Sequence, residues 1–216
     1  VTTSAGSKEV VNWSTTLGGV EGTGMYAGKK AEVIQRRNIN ASVAVNRARE
    51  IFAQVAGLNI WEADCAGIQI GVGGRGFSPR RTENFNTRQN GYDIAADALG
   101  YTESYYSPPM QSVEKVEVVR GAAALKYGNK PGGMINFVMK EGRKDKKLEA
   151  ESVQSIGSYG LFSSYNALGG TVGRVNYYTF LQYKFVKCCP CNSDFDNYTA
   201  YAGLRYTSKK VTSIKM

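Results

Sequence analysis

The alternation of apolar and polar residues takes on a period of two near residue 147 and keeps it to the C-terminus. In residues 174–185 one predicted face carries Val175, Tyr177, Thr179, Leu181, Tyr183 and Phe185. Residues 198–207 repeat this pattern and 161–169 carry a weaker form of it. Strands of about ten residues with this alternation are typical of tilted transmembrane β-strands, but a soluble antiparallel sheet alternates in the same way.

The connections between these strands favour the membrane interpretation. Short turns are predicted at 169–173 and 208–210, and a longer polar loop at 187–197. The chain also has 14 tyrosines, a residue type that suits membrane–water boundaries. Short turns on one side and longer loops on the other are typical of outer-membrane β-barrels.

The first two thirds of the chain predict shorter elements. Residues 1–24 lack periodicity and are interpreted as a flexible lead-in. A helix is predicted over 41–57, capped by Asn40 and stopped by Gly57. Strands are predicted at 58–62, 67–72, 113–121 and 132–140, a hairpin at Asn90-Gly91, and a tyrosine-rich loop at 98–109.

The run GVGGRG, residues 71–76, superficially resembles a dinucleotide-binding fingerprint. That fingerprint requires a helix directly after the glycines, so that the helix N-terminus meets the pyrophosphate. Here Phe77-Ser78-Pro79-Arg80-Arg81 follows, and no apolar helical period comes after it. The glycines are therefore expected to allow close packing of backbone between short strands.

Composition and charge exclude several classes of enzyme and binding site. The sequence has no histidine, which excludes a serine–histidine triad and any histidine-ligated zinc or haem. The net charge of +9 suits an anionic partner, but the basic residues are spread along the chain, which disfavours a nucleic-acid footprint. Cys188, Cys189 and Cys191 do not have zinc-site spacing, and no apolar run is long enough for a membrane helix.

A second glycine-rich stretch, VEVVRGAAALKYGNKPGGMINFVMK at 116–140, gives the most specific signal. A strand ends in Arg-Gly, a small-residue turn leads to Tyr-Gly, and Gly-Gly precedes Ile-Asn. Together with GIQIGVGGRGFSPR and the Gln-Asn-Gly hairpin, this order resembles the plug domain of TonB-dependent outer-membrane receptors, most nearly the ferric-dicitrate type. The motif residues are Arg75, Gly76, Arg120, Gly121, Tyr127, Gly128, Gly132, Gly133 and Asn136.

The resemblance covers about residues 25 to 214 and implies an architecture. It implies an α+β plug, with a small mixed sheet and short helices, at 25–141. The first antiparallel strands of a transmembrane β-barrel would follow at 142–216, with room for about four strands and the start of a fifth. We expect a fragment of a longer receptor or a truncated gene. We also expect small and polar residues, rather than an apolar core, where the plug meets the wall.

The resemblance further implies a receptor of the bacterial outer membrane that takes up a ferric chelate, with iron present only as part of the transported chelate and no cofactor. Its partners would be ferric citrate or a siderophore, a TonB-type energy-transducing protein and outer-membrane lipid. The ligand-facing residues would be Arg80, Arg81, Asn84, Tyr101, Glu103, Tyr105 and Tyr106. The alternative for the two arginines is a salt bridge to the barrel wall, and the alternative for the tyrosines is a packing role. The sequence offers no catalytic constellation, and the alternative is a soluble periplasmic interaction module or a non-functional receptor fragment.

Two charged features receive structural interpretations. Arg75 and Arg120 are expected to form buried charge pairs, with Glu114 and Glu117 as candidate partners. The segment Lys144–Lys147 is interpreted as a solvated hinge between plug and barrel. Lys8-Glu9-Val10-Val11 is interpreted as linker, with a remnant of a TonB-contacting box as the alternative.

Overall fold

The structure is a computed structural model. It describes residues 14–16, 31–35, 46, 48–52, 55–62, 67, 69–74, 76–96, 101–121, 124, 128–188, 193–207 and 213–215. The predicted positions Arg75 and Tyr127, the segment 8–11 and the turn 208–210 lie outside these residues.

The described residues form a short α-helix, a 3-10 turn at Arg80–Thr82 and thirteen strands. The helix α1 spans Ala48–Phe52. The strands are β1 (Ser14–Thr16), β2 (Ala31–Gln35), β3 (Leu58–Glu62), β4 (Ile70–Gly74), β5 (Phe85–Gln89), β6 (Tyr92–Asp93), β7 (Val113–Arg120), β8 (Gly133–Met139), β9 (Glu149–Ile156), β10 (Phe162–Val172), β11 (Val175–Cys188), β12 (Ser193–Thr207) and β13 (Ser213–Lys215).

The N-terminal part is built on a six-stranded sheet with the order β1-β2-β7-β8-β5-β6. All neighbouring strands are antiparallel except β5 and β8, which run parallel, so the sheet is mixed as expected. The β3–β4 hairpin forms a separate two-stranded sheet. Strand β1 lies within the segment interpreted as a lead-in, and the absence of periodicity there gave no sign of it.

The Asn-Gly dipeptide forms the predicted hairpin between β5 and β6. Asn90 has φ 49° and Gly91 has φ 86°, the pair of positive values that a two-residue type I′ turn requires. The Asn90 side chain also accepts a hydrogen bond from the Met139 nitrogen at 3.0 Å. The turn therefore holds the hairpin against the end of β8.

The predicted helix over 41–57 is too long. Asn46 has a positive φ of 59°, so α1 begins after it, and Val55–Gly57 form a bend and a turn. The apolar residues of the helix, Ala48, Ile51 and Phe52, are all buried, and so is Val55 just after it. Gly57 has φ 80° and lies in that turn, so its predicted role as the stop of the helix is wrong, because α1 ends at Phe52.

The C-terminal part is one antiparallel sheet in the order β9 to β13, which we call the wall. The prediction of about four strands and the start of a fifth is confirmed. The predicted loop at 187–197 is wrong at both ends, since β11 reaches Cys188 and β12 begins at Ser193. The predicted turn at 169–173 is also wrong, because β10 extends to Val172 and β11 starts at Val175.

One face of the wall is apolar and exposed. Its exposed residues include Leu168, Val172, Val175, Leu181, Leu204, Tyr198 and Tyr206. Tyr183 and Tyr198 pair across β11 and β12 toward one end, with ring centroids 4.7 Å apart, and Tyr177 and Tyr206 lie toward the other. An apolar band between two aromatic rows is the pattern that a lipid-facing surface carries. Separately, no helix among the described residues is long and apolar enough to cross a membrane.

The opposite face of the wall shares its core with the plug. Tyr165, Ala167, Tyr178 and Phe180 join plug residues such as Phe137 in one buried cluster. The Tyr165 and Tyr178 hydroxyls are 2.6 Å apart, so these buried polar atoms are paired. The expectation of a polar and small-residue contact is therefore wrong along this part of the wall, where aromatic packing dominates.

Candidate ligand-binding site

The glycines of 71–76 make room for the loop that follows them. A methyl group at Gly73 would overlap the carbonyl oxygen of Phe77 and lie 2.7 Å from the nitrogen of Pro79. At Gly71 the same group would lie 2.5 Å from the carbonyl oxygen of Pro79. The loop therefore folds directly back onto β4. Close backbone packing is confirmed as the reason for these glycines, but it joins a strand to a loop rather than two short strands as predicted.

Gly73→Ala should destabilise the plug by about 2–3 kcal/mol, because the added methyl group must push the backbone of 77–79 away. The measurement is chemical denaturation of the natural protein in detergent. Gly76→Ala is the control: nothing lies within 4 Å of its added methyl group, and only its φ of 83° carries a cost, about 1 kcal/mol. Equal losses in the two variants would contradict the packing explanation.

The two glycine-rich stretches meet at the ring of Phe85. Added methyl groups at Gly74, Gly132 and Gly133 would lie 2.9, 3.0 and 2.5 Å from atoms of this ring. The Gly132 nitrogen also donates a hydrogen bond to the Asn84 carbonyl oxygen at 2.8 Å. Phe85, 1% exposed, thus packs the start of β5 against the Gly132-Gly133 pair at the start of β8.

Arg120 is a structural residue, but its partner differs from the predicted ones. Its guanidinium pairs with Glu32 of β2 and donates to the carbonyl oxygen of Ala56. Glu117 instead pairs with Lys115 at 3.0 Å, and Glu114 is exposed. The predicted partners Glu114 and Glu117 are therefore wrong for Arg120, because both lie on its own strand, whereas its guanidinium reaches across to β2.

The other motif residues hold β7, β8 and the hairpin together. Asn136 donates to Glu117 at 2.8 Å and accepts from the Gly91 nitrogen at 2.8 Å, so it ties the hairpin turn to the buried carboxylate. Gly121 has φ 67°, and its nitrogen donates to the carbonyl oxygen of Gly132 at 3.2 Å. Gly128 packs against the Asn86 amide, where a methyl group would lie 2.5 Å from the nitrogen.

Four of the predicted ligand-facing residues form one cluster, which we call the apical cluster: Arg81, Glu103, Tyr101 and Tyr105. Arg81 Nε lies 3.2 Å from Glu103 Oε2, and the Tyr105 hydroxyl donates to Glu103 Oε1 at 2.9 Å. The rings of Tyr101 and Tyr105 meet edge to face with centroids 5.9 Å apart. Arg81 therefore pairs inside the plug, rather than with the wall.

Hydrogen bonds fix the backbone of Arg81 as well as its side chain. Thr102 Oγ1 donates to the Arg81 carbonyl at 2.9 Å, and Lys130 donates to the Thr102 carbonyl at 3.1 Å. Arg81 and Thr82 both have positive φ, 60° and 50°, which keeps the loop tightly turned. Contacts of Arg81 with Thr102 and Glu103 thus join its loop to the tyrosine-rich loop, and the two loops form one surface.

The electrostatics of the cluster keep Glu103 ionised. Burial acts to raise the pKa of this carboxyl, but hydrogen bonds from Tyr105 and Arg81 outweigh it and hold the pKa below its usual value. The same contacts raise the pKa of Tyr105 and of Arg81. Glu103 therefore accepts from both neighbours across the neutral pH range.

The Glu103 carboxyl should titrate below 4.5, its ordinary value, in a carbon NMR titration of the selectively labelled protein. Because the folded-state pKa is lowered, the Arg81–Glu103 contribution to stability is present above 4.5 and is lost as the pH falls through the folded-state pKa. Arg81→Gln should raise the midpoint of the Glu103 titration, because it removes a hydrogen bond and a positive charge that stabilise the carboxylate. A midpoint at or above 4.5 in the unchanged protein would contradict this assignment.

Arg80, Arg81 and Glu103 line a cleft of about 250 Å³ together with residues of the β3–β4 hairpin. Its other lining residues are Trp61, Gln69, Ile70, Gly71, Pro79 and Thr82. Trp61 is 48% exposed, which is unusual for a tryptophan without a partner surface. Sequence reasoning missed Trp61 and Gln69, and the available signal was a tryptophan on the polar face of the LNIWE strand.

Two predicted residues lie away from this cleft. Asn84 packs behind Gly132, and Tyr106 lines a small internal cavity with Phe52, Ile70 and Phe137. Burial, with a smaller effect of Tyr201, raises the pKa of Tyr106 to about 12, so its hydroxyl stays neutral. The geometry thus brings Arg80, Arg81, Glu103, Tyr101 and Tyr105 near one surface and leaves Asn84 and Tyr106 out of it.

Comparison with known proteins identifies the family to which the chain belongs. A sequence profile of the TonB-dependent Receptor Plug Domain family matches residues 25–134, just over half of the chain. The chain therefore belongs to this family, and the predicted TonB-dependent receptor is confirmed. No curated protein sequence matches the chain significantly.

Solved structures agree on the fold. The unliganded ferric citrate transporter FecA superposes with a TM-score of 0.68 at 20% identity, covering 86% of this chain and 30% of that one. The ferripyoverdine receptor of the outer membrane of Pseudomonas aeruginosa gives 0.70 at 18% identity, with 95% and 27% covered. The siderophore receptor PirA from Acinetobacter baumannii gives 0.62 at 17%, with 84% and 30% covered.

This chain thus spans roughly a third or less of the receptors that it matches in structure. Their shared architecture agrees with a plug followed by the first wall strands. Family membership and the exposed apolar face of the wall locate the protein in the bacterial outer membrane.

Proposed function

We propose that the protein binds an anionic ferric chelate at the cleft lined by Trp61, Arg80 and Arg81. The observation that carries this proposal is an exposed arginine, Arg80, beside a second arginine that Glu103 and Thr102 hold in a fixed position. Guanidinium groups suit the carboxylate and other oxyanion groups of ferric chelates, and a fixed group loses less conformational entropy on binding.

The aromatic groups extend the same surface. Trp61 offers an exposed indole at the edge of the cleft, and Tyr101 and Tyr105 are about half exposed beside Glu103. Glu103 neutralises Arg81, and Arg80 leaves the residues that line the cleft with a net charge of +1. Ferric citrate is the first chelate to test, because its carboxylates match this charge.

The proposal includes a TonB-type energy-transducing protein as a partner, and this partner is inferred from membership of the family. In this view the bound chelate is carried inward after that protein acts on the N-terminal segment and the plug rearranges. The exposed apolar face formed by Leu181, Leu204 and Tyr198 argues against the alternative of a soluble periplasmic module, since water would face these side chains.

Isothermal titration of the natural protein in detergent with ferric citrate and a panel of ferric siderophores tests the proposal. Arg80→Gln with Arg81→Gln should weaken binding of the preferred anionic chelate by about 100-fold, the equivalent of two charge-assisted contacts. Arg88→Gln serves as the control, because Arg88 lies on β5 and donates within the hairpin at 2.9 Å to Gly91. Unchanged affinity in the double variant would refute the cleft as the binding site.

A further inference from the structure

Polar side chains interrupt the outer, apolar face of the wall where β9 meets β10. We call these residues the polar ladder: Ser152 and Gln154 of β9, and Ser164 and Asn166 of β10. The cross-strand register places the ladder on the same face as Leu181 and Tyr183 of β11. All of its members except Ser164 are exposed. The ladder therefore belongs to the surface that faces lipid.

The ladder side chains are hydrogen-bonded to one another in a row. Gln154 Nε2 donates to Ser152 Oγ at 3.1 Å, and Ser152 Oγ donates to Asn166 Oδ1 at 2.7 Å. Asn166 Nδ2 in turn donates to Ser164 Oγ at 3.1 Å. Each amide has two N–H groups, and these bonds use one of them. The ladder therefore keeps hydrogen-bonding capacity for a further partner.

Exposed apolar residues lie at both ends of the ladder along its strands. Ile156, 85% exposed, and Phe162 follow at one end, and Leu168 follows at the other. On the neighbouring strand Leu181 stands opposite Asn166. The ladder is thus enclosed by the apolar band rather than placed at its border. Hydrocarbon offers polar groups no hydrogen-bond partner, so such a position favours contact with another polar surface.

The plug and the segment that follows it bind the opposite face of the wall. The Asn176 side chain accepts from the Gly142 nitrogen at 3.0 Å, and the Thr171 nitrogen donates to the Lys146 carbonyl at 2.9 Å. The side chains of the predicted hinge, Lys144–Lys147, are exposed as expected, although its backbone is bonded to the wall. Any strand that pairs beside β9 lies along its edge, and it leaves the outer face of the ladder uncovered.

A second copy of the protein offers a surface that complements the ladder. Copies in one membrane share their orientation, so a two-fold axis along the membrane normal brings two ladders face to face at the same depth. Such a contact requires a self-complementary patch, and the amides of Gln154 and Asn166 both donate and accept. The ladder has no charged side chain, so identical ladders do not repel each other. A lipid phosphate would instead favour lysine or arginine.

We propose that the polar ladder is the centre of a contact between two copies of the protein within the outer membrane. The ladder amides of one copy donate to and accept from those of the other. The apolar residues around them, Ile156, Phe162 and Leu168, pack beside the two-fold axis. The inference goes beyond the proposed function and does not depend on which chelate is bound.

Cross-linking of the natural protein in isolated outer membranes tests this contact. In a background without other cysteines, one variant carries Leu168→Cys beside the ladder, and its control carries Leu204→Cys on β12. Both substitutions replace an exposed leucine of the outer face, 46% and 54% exposed, so the two thiols are matched. A short bis-methanethiosulfonate reagent should give at least about tenfold more dimer with Leu168→Cys than with Leu204→Cys. Equal yields would overturn the inference.

Removal of the ladder amides tests whether they cause the contact. Gln154→Leu with Asn166→Leu deletes their donors and acceptors and leaves side chains that suit lipid. Added to Leu168→Cys, this change should lower the dimer yield about tenfold. Ala202→Leu, on the outer face of β12 and away from the ladder, should leave the yield within about twofold. An unchanged yield without the amides would contradict the role of the ladder. The heat-dependent shift of the barrel in gel electrophoresis checks that each variant is folded.

Two other occupants of the ladder would give different results. A bound lipopolysaccharide would leave Leu168→Cys without cross-linked dimer, and less of it would copurify with the protein once both amides are replaced. A different membrane protein would give a cross-linked product whose mass is not twice that of the protein. Either result would overturn the inference, and neither bears on chelate binding at the cleft.

Discussion

Gly133→Ala should lower the free energy of unfolding of the plug by about 3–4 kcal/mol. Gly133 has φ 153°, a conformation that alanine adopts only with strain. Its added methyl group would lie 2.5 Å from Cζ of Phe85 and 2.7 Å from the Val119 carbonyl oxygen. Neither atom can move away easily, because the Phe85 ring is buried and the oxygen belongs to the backbone. Urea denaturation in detergent, followed by tryptophan fluorescence, measures the loss.

Gly173→Ala is the matched control for Gly133→Ala. Gly173 also has a positive φ, 61°, but nothing lies within 4 Å of its added methyl group. It should therefore lose only about 1–2 kcal/mol, the cost of the left-handed conformation. A Gly133 variant as stable as the Gly173 variant would mean that the two glycine-rich stretches do not close around Phe85.

Tyr165→Ala should cost about 3–5 kcal/mol, comparable to removal of a fully buried aromatic ring from a core. Tyr165 has no exposed surface, its ring packs 5.5 Å from that of Phe180, and its hydroxyl pairs with that of Tyr178. The substitution leaves a cavity between plug and wall and an unpaired buried hydroxyl. Proteolysis of the plug in detergent should therefore accelerate together with the loss of stability.

Tyr198→Ala tests whether the effect depends on position, since Tyr198 lies on the outer face of the same sheet and is 74% exposed. Its loss should cost under about 1 kcal/mol in detergent. A similar cost at Tyr165 and Tyr198 would contradict a core shared by plug and wall.

The elements that the sequence predicted well are those with a local physical cause. Asn90-Gly91 specifies its turn through two positive φ values, and the alternation in 174–185 specifies a strand with two different faces. The close packing at Gly71 and Gly73 also followed from local sequence, because the residues that they contact come only a few positions later.

The features that the sequence missed depend on distant partners. Arg120 pairs with Glu32, 88 residues away, and only the order of strands in the sheet makes them neighbours. Trp61 enters the cleft because the β3–β4 hairpin meets the loop of Arg80. The aromatic contact between plug and wall was missed because alternation identifies an inward face without identifying what covers it.

The most direct test of the account is to locate iron by anomalous scattering in crystals of the natural protein grown with ferric citrate, or with the siderophore that titration selects. The account predicts an iron peak in the cleft bordered by Trp61, Arg80 and Arg81. An iron peak bound elsewhere on the protein, with this cleft left empty, would contradict it.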